Sequence, residues 1–372
     1  MKLENDLGRD DIRRLVVRVA IPSMLAQLVN VLYSVVDRIY IGNIPVIGET
    51  ALAGVGVSGP IVTMISAFAY LVGVGGSPLM SIRMGQGNLE GAKRILANSF
   101  LMLSVISAVL TVFLFAGREW ILMRFGASEA TYPYAEEYFA IYVLGTLFAL
   151  LSVGMNQFII CQGFARIGMI SVSLGAVTNI VLDPVFIFLL DMGVAGAAVA
   201  TVLSQFVSCV FVIRFLLGKR VPVRLTFGGF QAALMGRIAL MGLAPFLIIA
   251  FDNVLIIALN TVIQTWGGAE ADRLLTCTAI VQSFMLVVTM PLGGITAGTG
   301  AILGYNFGAR RPDRIRSAQK YIVLLAVAFN SFMFLISRTA AQYFVFLFTR
   351  SPEYVDLTVG TTGAYTMGII PL

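Results

Sequence analysis

Apolar runs near or beyond ~20 residues recur along almost the whole chain, and that is the length a helix needs to cross a ~30 Å hydrocarbon core. Reading these runs between charged or Pro/Gly-rich breaks predicts ten spans, near 15–41, 51–80, 95–116, 133–162, 167–190, 194–217, 238–264, 275–304, 318–341 and 355–372. Only 12% of the 372 residues are charged, about half the share of a soluble domain. Water therefore cannot solvate most of the surface. Alternating ten-residue strands of the outer-membrane barrel type are not visible. The expected fold is an all-α polytopic membrane protein.

Charge placement orients those spans. Counted alternately from an inside N-terminus, nineteen Lys and Arg fall on one side and five on the other, with Arg38 inside the first span. The poorer side collects Glu119, Glu129, Glu136, Glu137, Glu270 and Asp272. This is the positive-inside pattern, and it predicts a plasma-membrane protein with a cytoplasmic N-terminus. The start, MKLENDLGRDDIRR, mixes charge signs and lacks a small-residue cleavage site, so it is a cytosolic lead-in and no signal peptide. No basic block is interleaved with exposed aromatics, which argues against a nucleic-acid partner. Membrane lipids are the expected surroundings, and a monomer is the expected state.

An internal repeat runs at a constant offset of 223 residues, placing Pro22 on Pro245, Gly75 on Gly298, Gly85 on Gly308, Tyr142 on Tyr365 and Gly145 on Gly368. GQGNLEGAKR at 85–94 lies over GARRPDRIRS at 308–317. Six spans separate the copies, so both keep one orientation, and parallel repeats enclose a cavity between two lobes. The division that follows is a cytoplasmic N-terminus over 1–14, a six-helix lobe over 15–217, an inter-lobe linker over 218–237 and a partial second lobe over 238–372. Residue 372 corresponds to 149, inside the fourth span of the first copy. The expectation is a C-terminal truncation of a twelve-helix protein, with about ten helices present.

An ionisable group within a span costs about 2.5–3.5 kcal/mol at the centre on insertion scales, so each is a functional candidate. Asp37 and Arg38 lie in the first span, Asp183 in the fifth and Asp252 in the seventh. At ~1.5 Å per residue, Asp37, Asp183 and Thr201 of the sixth span sit at similar depth in the outer half. Asn179 is one turn from Asp183 on the same face. Two carboxylates, an amide and a hydroxyl are hard oxygen ligands suited to Na⁺, and a carboxylate pair also holds a shared proton. The bland alternative has Asp37 pairing with Arg38 and Asp183 capping a kink at Pro184. Asp252 aligns with Val29 under the repeat, while Asn260 takes the place of Asp37, so the second lobe does not copy this arrangement. No other metal set is apparent: the chain has no histidine, and Cys161, Cys209 and Cys277 are scattered through apolar helices. Pro22, Pro60, Pro184, Pro245 and Pro291, in or near span ends, are candidate kinks.

Gly54-Val-Gly-Val-Ser-Gly59 matches GxGxxG but follows no strand, and like Gly193-Val-Ala-Gly196 it reads as small-residue helix contact. No GxxxxGK[ST] phosphate loop exists, so the energy source is an ion gradient or the substrate's own gradient, and no bound cofactor is expected.

Several stretches resemble multidrug and toxic-compound extrusion (MATE) transporters: IPSMLAQLVNVLYSVVDRIYIG at 21–42, GVGGSPLMSIRMGQGNLEGAKR at 73–94, NIVLDPVFIFLLDMGVAGAAVATVLSQ at 179–205 and MPLGGITAGTGAILGYNFGARR at 290–311. The resemblance covers essentially the whole chain, with 179–205 its most specific part. It implies two six-helix lobes and export of cationic, often aromatic compounds in exchange for Na⁺ or H⁺. The family's first-lobe cation site, carried over by motif, falls on Asp37, Asn179, Asp183 and Thr201. An Asn associated with that lobe's cavity falls on Asn156, and an acid of some members on Asp252. Asn30 and Tyr33, inward of Asp37 on its helix, complete the cavity candidates. The rival with the same fold is a lipid-linked saccharide flippase, which wants a cationic cavity for phosphates where these candidates are mainly acidic. An intramembrane aspartyl enzyme would need a GxGD motif that is absent, and the chain is read as no enzyme. A non-transporting receptor is the remaining class.

Overall fold

The computed structural model describes residues 5–268 and 271–346, with 355, 358–362 and 366 beyond them. Among the described residues up to 346, twelve helices follow in order: α1 (Ile12–Gly42), α2 (Gly48–Gly85), α3 (Leu89–Ala116), α4 (Arg118–Arg124), α5 (Tyr132–Leu144), α6 (Thr146–Ile160), α7 (Ala165–Pro184), α8 (Gly193–Leu217), α9 (Ala232–Trp266), α10 (Ala271–Gly308), α11 (Pro312–Thr339) and α12 (Ala341–Val345). Among the described residues there is no strand. Local chemistry sets several starts. Asp11 caps α1 by accepting the Arg14 N–H at 3.1 Å, Asn88 caps α3 by accepting the Gly91 N–H at 2.8 Å, and Pro312 opens α11, where its missing N–H costs nothing.

Eight of these helices are long and apolar enough to span a membrane, and α5 with α6 make a ninth span bent by 57°. That bend falls inside the expected span 133–162. The break sits at Gly145, where an added Cβ would lie 2.6 Å from the Val202 side chain of α8. The absent side chain lets α8 approach, and α5 and α6 wrap it from two directions. The start of α9 also differs from expectation. It begins at Ala232, within the stretch read as linker, because Arg237 lies exposed on the helix and does not end it. The expected tenth span, 355–372, lies outside the described residues apart from 355, 358–362 and 366.

Large apolar side chains point outward along the spans, as on α3 (Val109, Val112, Phe113) and α9 (Phe251, Val254, Leu255). Lipid makes such a surface favourable, while helical pairing satisfies the backbone within each span. The core of the first half, α1–α8, is built on Phe139, Phe158, Leu150 and Met155.

The two halves meet through α1 against α10 and α2 against α9 and α10. Closest approach is backbone to backbone, at glycine. A Cβ on Gly85 would collide with the carbonyl oxygen of Tyr305, and one on Gly308 with the carbonyl oxygen of Ile82. Adding the offset of 223 takes Ile82 to Tyr305 and Gly85 to Gly308, so each contact is the other with the halves exchanged. The same holds where Gly298 meets Val19 and Gly75 meets Gly242. Contacts that map onto themselves in this way are what a two-fold axis through the interface requires.

Candidate cation site in the first half

The site starts from a covalent constraint. Pro184 has no N–H to give the carbonyl one turn back, and α7 passes there into a π-turn over Val185–Leu189. A tight connection with Asp191 at φ 52 and Gly193 at φ 54 then reverses the chain into α8. The helices pair closely: the Ser208 hydroxyl of α8 donates to the Ser171 carbonyl of α7 at 3.0 Å. The hairpin sets Thr201 beside Asn179.

Asn179 and Asp183 are fully buried, and Thr201 nearly so. The Asn179 amide donates to Asp183 Oδ1 at 3.1 Å and reaches Thr201 Oγ1 at 3.5 Å. From α1, which lies along α7, Asp37 comes within electrostatic range of Asp183. Three oxygens of this group are buried without a hydrogen-bond partner: Asp37 Oδ1, Asp183 Oδ2 and Asn179 Oδ1. An unpaired buried acceptor costs about 1–3 kcal/mol, and more when charged. Each of the three oxygens is free to accept a hydrogen bond, a proton or a cation.

Arg38 lies within electrostatic range of Asp37, but it is exposed and makes no ion pair: those among the described residues are Lys93–Glu90 and Arg118–Glu136. Nor do three His, Cys, Asp or Glu side chains converge anywhere among the described residues. The set at hand is two carboxylates, an amide and a hydroxyl, and those donors fit one monovalent cation or a proton.

Tyrosines wall the cluster. Tyr33, one turn from Asp37 on α1, lies within electrostatic range of both Asp37 and Asp183. From α5, Tyr138 lies beside Thr201. Its ring stacks on Tyr142 at 6.0 Å and 13°, and Gln205 Nε2 donates to the Tyr142 hydroxyl at 3.4 Å. Tyr138, Tyr142 and Gln205 are absent from the sequence-derived set. For the two tyrosines the signal was the Tyr–Tyr spacing of four in YPYAEEYFAIY, one face of a helix.

The remaining sequence candidates lie elsewhere. Asn30 is half-buried about two turns inward on α1, donating to Gln27 Oε1 at 3.3 Å. Asn156 is buried and donates to the Gly168 carbonyl at 3.4 Å. Gly168 precedes Asp183 by fifteen positions on α7, about 22 Å along the axis. Asp252 is exposed on α9, with no hydrogen bond or ion pair among the described residues, and α9 packs on α2, α10 and α3, away from α7. Of the glycines read as small-residue contacts, Gly54 and Gly196 serve close approach, and Gly56 and Gly59 meet nothing.

The family model described as MatE matches residues 22–185 and 249–372. The chain is 26% identical over 342 residues to the multidrug export protein MepA of Staphylococcus haemolyticus, covering 91% of this chain and 74% of that protein. It is 24% identical over 375 residues to an FAD transporter of Shewanella oneidensis, covering 96% and 78%. Among solved structures, the outward-facing conformation of a multidrug resistance MATE family transporter of the MOP superfamily superposes with a TM-score of 0.89 at 25% identity, covering 98% of this chain and 80% of that one.

Proposed function

The chain belongs to the MATE family, whose members are membrane transporters, and from that premise we propose that it is a cation-coupled antiporter exporting small, often cationic organic compounds. In this reading Asp37, Asn179, Asp183 and Thr201 hold the coupling ion, Na⁺ or H⁺. The protein works as a monomer in the plasma membrane with its N-terminus in the cytoplasm. One observation carries the reading: three partnerless buried oxygens on two helices of the same half.

The mechanism follows from which helices own those oxygens. Asp37 rides on α1, which also touches α10 of the other half, while Asn179 and Asp183 ride on α7 within the first half. Two carboxylates within electrostatic range repel when both are charged. A bound cation or proton removes the repulsion and draws α1 onto α7. The contact of α1 with the second half shifts with it, which links ion occupancy to the arrangement of the halves. A ligand moves such an equilibrium only by its differential affinity for the two arrangements. Tyr33, Tyr138 and Tyr142 add aromatic faces beside the acids, a lining that attracts organic cations.

Substrate class is where a second reading enters. A relative at 24% identity is an FAD transporter, so a large aromatic anion is the alternative cargo on the same fold. The test is flux in liposomes carrying the protein, driven separately by a Na⁺ and a pH gradient, with ethidium or FAD inside. Wild type should move ethidium under one of the gradients, and Asp37→Asn should bring that flux to background. Coupled flux that survives the substitution overturns the site. Movement of FAD alone replaces the cationic cargo with the anionic one.

A further inference from the structure

The two-fold relation between the halves sets two corners of the molecule side by side. In the second half, three basic or amide side chains at the start of α11 and the end of α10 grip the N-terminal segment. Asn306 Nδ2 donates to the Leu7 carbonyl at 3.0 Å. Arg311 Nη1 donates to the Gly8 carbonyl, and Arg314 Nη2 to the Asp10 carbonyl at 2.8 Å. Arg314 Nε also donates to Asn306 Oδ1 at 2.9 Å. Here guanidinium groups are answered by backbone oxygens.

Removing the offset of 223 from Asn306, Arg311 and Arg314 gives Arg83, Asn88 and Gly91. Adding it to Gly8, Asp10 and Arg14 gives Gln231, Ala233 and Arg237. These are residues of one cavity between the starts of α3 and α9, with a volume of about 280 Å³, lined by Arg83, Arg94, Arg237, Asn88, Gly91 and Gln231 among others. Among the described residues none of Arg83, Arg94 and Arg237 donates to a backbone carbonyl. Asn98, fully buried, holds the linker by accepting the Gln231 N–H at 2.8 Å and donating to the Gly229 carbonyl at 3.2 Å. Three arginines therefore converge on open space. Arg83 reaches only the Gln86 side chain, and Arg94 and Arg237 have no hydrogen-bond acceptor among the described residues. The adjacent acid, Glu90, is paired with Lys93.

We propose that this cavity binds a phosphate-bearing anion, in the bilayer the headgroup of an acidic phospholipid. Three forked guanidinium groups suit a phosphate's tetrahedral oxygens, and those of Arg94 and Arg237 have no acceptor of their own among the described residues. The first turns of α3 and α9 border the same space, and α9 has no side-chain cap, so its leading N–H groups and its dipole add to the field. The cavity lies where two spans begin, Leu89–Ala116 and Ala232–Ile263. That is headgroup depth, and basic pockets between helices there are suited to anionic headgroups. An anion held between Arg94 of the first half and Arg237 of the second does for this corner what the N-terminal carbonyls do for the other: it ties the halves together.

The test uses the purified full-length protein in neutral detergent. Native mass spectrometry and thermal melts follow addition of phosphatidylglycerol, phosphatidylcholine or sodium phosphate. The proteins are wild type, R94Q/R237Q and a control, R316Q/K320Q, which removes two exposed charges after α10. Phosphatidylglycerol should be retained and raise Tm in wild type and control, with at least tenfold weaker binding in R94Q/R237Q, and phosphatidylcholine should do neither. Sodium phosphate matching that stabilisation assigns the site to phosphate itself, whereas a lipid-only effect assigns it to the headgroup. Should R94Q/R237Q melt lower without any additive, the single variant R83Q, with the same readouts and the same threshold, decides. Binding within twofold of wild type in the cavity variant, or an equal loss in the control, overturns the proposal: the arginines are then only part of a general positive surface.

Discussion

The end of the molecule where α1 begins and the end where it finishes are built on opposite principles. At the first, halves touch through glycine and backbone, with Gly85 against Tyr305 and Gly308 against Ile82. Each such contact has one geometry and no spare volume. Toward the far end of α1 the contents are polar and incompletely satisfied, and they belong to one half: Asp37, Asn179, Asp183 and Thr201, with three oxygens lacking partners. Tight apolar contact makes a closure. Unsatisfied polar contact makes a place for a charge. A transporter that alternates between two arrangements needs both, since the closure must open at a cost that binding at the other end can offset.

The largest effect expected from breaking this contrast is at Asp183. Replacing it with Asn keeps the shape and the Asn179 contact but removes a charge that Asp37 faces. A carboxylate's charge-assisted contacts to a bound ion are worth about 1.5–3 kcal/mol each, so one that makes two of them forfeits about 3 kcal/mol or more of ion binding when its charge is removed. Ion-driven efflux from liposomes should fall about 100-fold or more, while thermal stability holds or rises because one source of repulsion is gone. Efflux within tenfold of wild type would detach the cluster from coupling.

At the glycine end, Gly85→Val and Gly308→Val should each destabilise by about 1–3 kcal/mol through overpacking against a carbonyl. The sharper expectation is equality. If the two-fold relation is real in solution, both variants lower Tm by the same amount within error. A drop at one position and none at the other would reduce the repeat to a resemblance in sequence.

Thr201→Val is a finer cut, removing a hydroxyl while keeping the volume. One hydrogen bond to a charged or ion-binding group is worth about 1.5–3 kcal/mol. The cation concentration for half-maximal efflux should therefore rise about tenfold or more, with the maximal rate less affected. No change in that concentration would remove Thr201 from the set and leave the α7 pair with Asp37.

How much of this was legible in the sequence depends on what each residue costs. Spans were visible because lipid demands long apolar runs, and Asp37 and Asp183 stood out because a carboxylate there is expensive. Their shared depth followed from helical rise, and Thr201 fell into place because a short turn joins α7 to α8. The bend at Gly145 was hidden: the run 133–162 stays apolar through it, and the cause is Val202, distant in sequence. Tyr138 and Tyr142 were overlooked because an amphipathic ring in a span raises no alarm until its partners are known. Helix faces were the least readable feature. A helix that is apolar all round carries no stripe to say which side is inward, so Asn156 and Asp252 could be assigned to a span but not to a neighbour.

Asp252 gives the smallest expected effect and tests that last point. An acid inside a predicted span is a functional candidate by cost alone, yet this one is exposed on α9 while Asn253 beside it is half-buried and donates to the Ile249 carbonyl at 2.8 Å. Nothing among the described residues couples it to Asp37 or Asp183. Asp252→Asn should therefore leave Na⁺- or H⁺-driven ethidium efflux within about twofold of wild type, since surface substitutions away from a partner shift energies by about 0.5 kcal/mol or less. A loss as deep as that of Asp183→Asn would place a second charged site in the other half. The contrast would then run between two ion-handling halves joined at one end, with the repeat preserving the function of an acid after abandoning its position.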